Sequence, residues 1–433
     1  MHDRLNSIQK SMLQWNEMHP YSAIHVVQVR AAHDATRLRH SIDGTLMKRG
    51  LTRLSLDHEQ FTFQYEGGAA ECEIRTIDGA GGPISVIVAE MERQLNLRFD
   101  HNQRFSPFRF MVVPSSDCFF LGLVYFHPVA DAESVVYLLK DIVTNYLAEV
   151  TSDVTGSPLD LHCAISTHPL RRHPMVLVHK VLALPVQMRN MRESHRPGYK
   201  DPDNLANGFV SFSLAPEALR SVVAAAKSWG VTVNDLFMAL LMKALSPCAG
   251  LRTQARRRRK ITIGCITNIR KDLGVDSRRT FGLFLGSFTV THEVPAGISL
   301  HELAGDICQQ TSRIKRHKLY LAMALELGLA RLLLKFFSPG RRKKFYAKYY
   351  PLWGGITNMN LNSLWEQSGS GGMVDYFRGV STGPITPLAL SVTTVGDHAN
   401  LGLSYRTSVF SRNDIEGLEG RFREHLEETK RAA

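Results

Sequence analysis

From Cys118 to Phe126 the chain runs Cys-Phe-Phe-Leu-Gly-Leu-Val-Tyr-Phe, and the next residue is His127. An apolar run of this kind has the character of a buried strand. Asp131 follows His127 by four residues, and from Val135 the apolar positions Leu138, Leu139, Ile142 and Tyr146 recur with a helical period. The segment therefore reads strand, loop, helix, with His127 where the strand opens into the loop. A sheet fixes the backbone at such a point while the imidazole can face a cavity, which suits a general base. Asp131 can fix the loop and also reads as the helix N-cap. In a chain with 18 histidines a His-x-x-x-Asp spacing arises readily by chance, so its weight comes from context.

At 433 residues the chain is too long for one ordinary core and predicts two or three domains. An apolar content of 44% and a charged content of 21% belong to a soluble globular protein. The net charge of +12 favours acidic partners: cofactor phosphates, an acidic carrier protein, anionic lipid or nucleic acid. Solubility alone also accounts for it. Nucleic acid is the weakest of these, because no groove-reading or base-stacking motif accompanies the charge. Six cysteines (Cys72, Cys118, Cys163, Cys248, Cys265, Cys308) show no Cys-x-x-Cys spacing. They read as reduced thiols in a cytoplasmic protein, with neither a disulfide framework nor a metal site. The opening Met-His-Asp-Arg-Leu-Asn has no signal-peptide core. The longest apolar stretch, Leu319 to Phe337, is interrupted by Glu326, Arg331 and Lys335 and predicts a buried or amphipathic helix.

Strand-like and helical segments alternate up to about Tyr146 and again from Gly208. Between them Pro158, Pro169, Pro174, Pro185, Pro197 and Pro202 punctuate a basic stretch that predicts a crossover with one helix near 174–191. The organisation expected is an N-terminal unit over 1–165, a linker over 166–207 and a C-terminal unit over 208–433. Thr232 with Asp235, and Ser411 with Asp414, predict helix starts. Gly396-Asp-His-Ala-Asn between two apolar strands predicts a hairpin, and Gly369 to Gly372 a flexible loop. Gly282 and Gly286 mark a bulge or a close backbone approach.

The order of these features resembles the acyltransferases with a His-x-x-x-Asp motif. They include peptide-synthetase condensation domains, polyketide-associated acyltransferases, wax ester synthases, and chloramphenicol and carnitine acyltransferases. Leu5-Asn-Ser-Ile-Gln-Lys-Ser-Met resembles their N-terminal helix, and Lys48 to Arg53 their Arg-His-x-x-Leu-Arg stretch. His127 to Asp131 is the signature, and Thr232-Val-Asn-Asp235 resembles a helix start they share. Asn268-Ile-Arg270 and Phe281 to Gly286 resemble their Asn-x-Arg and Phe-Gly-x-x-x-Gly pair. The segments span nearly the whole chain. Phe126 stands in place of the motif's first histidine and Ala132 in place of its closing glycine. The closing Arg-Asp-x-Ser of modular condensation domains is absent, which favours a free-standing enzyme.

The resemblance implies an α/β (α+β) fold of two chloramphenicol-acetyltransferase-like subdomains, with mixed sheets flanked by helices and an active-site tunnel at their interface. It implies acyl transfer from a thioester to a hydroxyl or amine, in natural-product or lipid biosynthesis. Coenzyme A or phosphopantetheine would be a co-substrate, with no permanently bound cofactor. His127 would be the base, and Asp131 a structural residue paired with Arg53. Asn268 and Arg270 would lie at the junction of the halves. Ser391 and Thr393 share one face of a strand that resembles the Ser-Thr-Ser strand of carnitine acyltransferases. There Thr393 would donate to the oxyanion, whereas cross-strand hydrogen bonding explains the same hydroxyls without chemistry.

Two basic runs remain, Arg256-Arg257-Arg258-Arg259-Lys260 and Arg341 to Lys344. They read as solvated loops, as docking sites for an acyl carrier protein or the phosphates of acyl-CoA, or, for the second, as a peripheral membrane contact. The competing function is a catalytically idle, condensation-like protein that binds a carrier protein or partner enzyme. A lipid-surface enzyme making wax or glycerol esters is a third.

Overall fold

The computed structural model describes residues 2–80, 82–101, 103–148, 157–161, 169–365 and 373–430. In its N-terminal part the strands are β1 (His2–Arg4), β2 (Ser22–Val29), β3 (Leu54–Asp57), β4 (Thr62–Tyr65), β5 (Glu73–Thr76), β6 (Phe108–Pro114), β7 (Phe119–Phe126) and β8 (Asp160–Leu161). They are followed by β9 (Asn207–Leu214), β10 (Ile261–Asn268), β11 (Thr280–Phe281), β12 (Leu285–His292), β13 (Gly354–Asn360), β14 (Met373–Val380), β15 (Leu388–Val395) and β16 (His398–Arg406).

The apolar run before His127 is strand β7, buried along its whole length in the middle of a mixed five-stranded sheet of order β14-β2-β7-β6-β5. The helices Ala35–Arg49, Pro83–Leu95 and Ala132–Leu147 share one continuous core with it. A second, six-stranded mixed sheet has the order β12-β10-β13-β15-β16-β9. Its core is closed by the helices Pro216–Ser228, Val233–Leu245, Leu300–Arg316 and Arg412–Lys430. Two-stranded and three-stranded sheets complete the fold, which is two-lobed and mixed α/β.

Local signals fix several of these elements. Thr232 Oγ1 accepts from the Asp235 amide, and Asp235 Oδ2 from the Thr232 amide. Ser411 and Asp414 make the same reciprocal pair. Gly396, with φ 57°, makes the turn between β15 and β16. A Cβ on Gly286 would lie 2.8 Å from the Tyr320 carbonyl oxygen, so that glycine permits a close approach.

Two expectations change. The C-terminal unit is not confined to one lobe: β14 leaves it and pairs with β2 at the edge of the first sheet. Main-chain pairing across the lobes is a tertiary choice that a linear division at 208 does not reveal. The stretch 319–337 is not one helix, since Lys318 is left-handed and a 3-10 turn, Leu319–Ala322, precedes the helix Met323–Leu334. Val233–Gln254 is long and apolar enough to cross a membrane, but it is largely buried in the second core. Cys72, Cys118, Cys248, Cys265 and Cys308 are free. Cys163 and the Gly369–Gly372 loop lie outside the described residues.

Candidate active site

His127 opens a 3-10 turn directly after β7, and its side chain is only 8% exposed. Its Nδ1 lies 3.1 Å from the Ala130 carbonyl oxygen. A carbonyl only accepts, so Nδ1 carries the proton and Nε2 keeps its lone pair. The Tyr21 ring stacks on the imidazole at 5.3 Å, and Tyr125 meets it edge-on at 5.6 Å. Burial lowers the imidazole's pKa below its ordinary value, against weaker upward pulls from the Ala130 carbonyl and the Asp131 charge. His127 is therefore neutral at neutral pH, with its basic nitrogen available.

Asp131 does not hydrogen-bond to His127. Its Oδ1 caps the following helix by accepting from the Ser134 amide at 3.0 Å. Its Oδ2 accepts from Arg270 Nη1 at 2.6 Å and from the Phe284 amide at 2.9 Å. Arg270 Nη2 also donates to Ser134 Oγ at 2.7 Å, and the guanidinium lies over the Phe284 ring at 4.4 Å. The Gly282 carbonyl accepts from the Asp131 amide and from Ser134 Oγ. One buried latch thus joins the helix after the His127 loop to the segment 268–284 of the other lobe. Asn268 belongs to it: its Oδ1 accepts from the Arg270 amide at 2.8 Å and its Nδ2 donates to Glu133.

The expected Arg53–Asp131 pair is corrected by this geometry. Arg53 precedes β3, its Nε donates to the Gly67 carbonyl at 2.7 Å, and its guanidinium faces Glu71 at 3.8 Å. The guanidinium that Asp131 needs comes from Arg270, 139 residues away in the chain.

Both departures from the signature fit this structure. Phe126 is fully buried, and its ring packs against Phe99, Phe105 and His101. Successive side chains of a strand point to opposite faces. Ala132 is the first residue of the helix Ala132–Leu147 and is not among the positive-φ residues, so no glycine is required there.

Ser391 and Thr393 on β15 are both buried. Thr393 Oγ1 accepts from Arg378 Nε at 2.8 Å, and Arg378 Nη2 donates to the Val392 carbonyl at 2.7 Å. Arg378 comes from β14, so it ties the edge of the first sheet to the middle of the second. The backbones are close there: a Cβ on Gly402 of β16 would lie 2.0 Å from the Arg378 carbonyl oxygen. Arg378 is 3% exposed, and among the described residues it has no carboxylate partner. Burial lowers it to about 10, with the Tyr376 and Tyr125 hydroxyls pulling the other way, so it stays charged at neutral pH. His25 lies between the two centres. It meets the Tyr125 ring edge-on, hydrogen-bonds the Tyr376 hydroxyl at 2.7 Å, and is depressed by burial, by Arg378 and by His127. The sequence reading missed Arg378, His25, Tyr21 and Ser134. A charged residue in the strand-like Met373-Val-Asp-Tyr-Phe-Arg-Gly-Val was the available signal for the first.

Arg256, Arg257 and Arg258 do not join the site. All three are exposed in the loop before β10, whereas Asn268 and the Asp131 latch lie at that strand's other end, roughly 25 Å away by strand rise. A cavity of about 920 Å³ lined by Lys243, Arg252, Arg259 and Glu428 also lies on that side of the second lobe, remote from His127.

No family model matches the sequence, and no curated protein matches it. Solved structures do. The epimerization domain from the third module of tyrocidine synthetase B superimposes with a TM-score of 0.70 at 14% identity, covering 100% of this chain and 97% of that one. The first condensation domain of the calcium-dependent antibiotic synthetase, in complex with a substrate analogue, gives 0.71 at 16% identity, over 98% and 96%. A mutant starter condensation domain of rhizomide synthetase RzmA, in complex with C8-CoA and Leu-SNAC, gives 0.68 at 13%, over 100% and 94%. The chain has the two-lobed fold of condensation and epimerization domains. Those names cover more than one reaction, so the chemistry here must be argued from the side chains.

Proposed function

We propose that this chain is a free-standing acyltransferase that moves an acyl group from a thioester to a hydroxyl or amine, with His127 as general base. The observation that carries the reading is the buried, neutral His127, whose Nδ1–H is committed to the Ala130 carbonyl while Nε2 is left basic. Nε2 takes the proton of the acceptor O–H or N–H as that atom attacks the thioester carbonyl. The C–S bond then breaks, and the imidazolium returns the proton to the departing thiolate. The thioester would enter on coenzyme A or on the phosphopantetheine of a carrier protein, through a tunnel between the lobes. A complex with C8-CoA and Leu-SNAC in one protein of this fold supports a thioester co-substrate.

Thr393 is the proposed oxyanion donor. Its Oγ1 accepts from Arg378, so its own proton is free to be given, and the nearby cation favours developing negative charge. Asp131, Arg270 and Asn268 act as positioning residues, holding the His127 loop against the second lobe.

The idle-binder reading rests on the missing first histidine. The packing of Phe126 among Phe99, Phe105 and His101 weakens it, because position 126 points away from the His127 side of the sheet. The experiment is thioester consumption with acyl-CoA and acyl-phosphopantetheine donors and a pool of alcohols and amines, comparing the wild type with His127→Ala. Turnover should fall roughly 100- to 10,000-fold in a variant whose circular dichroism is unchanged. Equal turnover in a folded variant, or a wild type inert toward every donor, would leave the binding function.

A further inference from the structure

The helix Met175–Glu193 is turned inside out. Val176 is buried and Ala183, Gln187 and Asn190 are partly covered, so the covered stripe is largely polar. Outward it carries nine large apolar side chains that are 42–68% exposed, Val181 and Leu182 most of all. The helix Met323–Leu334 buries Met323, Leu327, Ala330 and Leu334. It exposes Leu325, Leu329, Leu332 and Leu333, and Phe336 just beyond its end is 82% exposed. Those five positions recur at helical spacing and make one outward stripe. An ion pair between Lys180 and Glu326 holds the two helices side by side. With Phe336 they carry fourteen of the twenty-one exposed large apolar side chains among the described residues. Soluble monomers rarely expose so much apolar surface in one place.

The charge around these stripes is one-sided. Residues 169–193 and 319–349 contain twelve Lys and Arg against two Glu, in a chain whose net charge is +12. Both glutamates are already paired, Glu326 with Lys180 and Glu193 with Arg189 and Lys260. Arg171, Arg172, Arg189, Arg192, Lys335 and Arg341 are exposed. Apolar side chains flanked by exposed cations in excess over carboxylates match the acyl boundary and headgroup layer of an anionic bilayer. A second copy of this chain fits less well, since a two-fold interface would bring these cations against their own equivalents.

We propose that the helices Met175–Glu193 and Met323–Leu334 form a docking surface for an anionic lipid bilayer, on which the chain sits without crossing it. The second helix packs on the helix Ser7–Met18, whose Gln9 Nε2 donates to the Pro128 carbonyl beside His127 at 2.9 Å. In a docked chain the helices Met323–Leu334 and Ser7–Met18 therefore lie between the lipid and His127.

The test is flotation of the purified full chain with phosphatidylcholine vesicles, with and without phosphatidylglycerol. Binding to the anionic vesicles should be at least about tenfold tighter and should weaken as salt rises. The variant Val181→Glu, Leu182→Glu, Leu329→Glu, Phe336→Glu alters only exposed side chains, so it should melt like the wild type yet lose flotation. Lys335→Gln with Arg341→Gln should reduce binding to anionic vesicles alone. A wild type that floats with neither vesicle, or a folded glutamate variant that floats normally, overturns the proposal. So does a wild type that fails to float but forms a dimer, or captures an acidic carrier protein, through the same side chains.

Discussion

The carboxylate of Asp131 and the guanidinium of Arg270 meet at 2.6 Å, each side chain 2% exposed, and come from different lobes of the molecule. The carboxylate that follows the histidine in the signature is therefore an architectural element. Every oxygen of it is occupied, and none of its bonds reaches the imidazole.

Removing one member of this pair leaves the other charged and buried. Asp131→Ala or Arg270→Ala should each destabilise the fold by roughly 3–5 kcal/mol, read as a lower denaturant midpoint. Asp131→Ala with Arg270→Met should cost less than the sum of the two single changes, because no orphan charge remains. Additive losses would show that the two residues are not coupled.

The pH profile reports the state of His127. An ordinary imidazole titrates near about 6.5, and burial holds this one lower. The rate constant kcat/KM should stay level as pH falls past that value and decline only at more acid pH, where Nε2 is protonated. A decline centred at or above the ordinary value would contradict the buried, neutral state.

Stability should also fall in acid, for a related reason. Burial lowers His19 to about 4 and lowers His25 and His127 as well. Once pH drops below about 6.5 the unfolded chain binds protons that the folded chain refuses, so stability decreases with falling pH through that window. Above it these residues contribute no slope. Urea titrations from pH 8 to 5 check the sign, and His19→Gln should flatten the slope.

Restoring the motif's first histidine should not help. Phe126→His places a polar ring among Phe99, Phe105 and His101 and should cost roughly 1–3 kcal/mol. It should not raise turnover, because that position faces away from His127. A gain in rate would show that residue 126 reaches the reacting groups.

Thr393→Val keeps the side-chain shape and removes the hydroxyl that accepts from Arg378 Nε. If Thr393 donates to the oxyanion, kcat should fall roughly 100-fold. A purely structural hydroxyl would instead cost roughly 1–3 kcal/mol of stability, because Arg378 Nε loses its buried acceptor, with kcat unchanged. Measuring both quantities on one variant separates the two roles.

What the sequence determined by itself is local. The apolar run into His127, the N-cap at Asp131, the reciprocal caps at Thr232/Asp235 and Ser411/Asp414, and the turn at Gly396 depend on residues within a few positions of one another. Short-range hydrogen bonding and side-chain periodicity decide them. Tertiary structure decided the partners: Arg270 rather than Arg53 for Asp131, β2 as the neighbour of β14, and the placement of Arg378 against Thr393. Each pairs residues from separate strands or lobes, and no local energy distinguishes one arginine from another at such a range. The same limit hid the outward-facing apolar side of Met175–Glu193. Periodicity shows which residues share a helix face, but only packing decides which face is turned to the core.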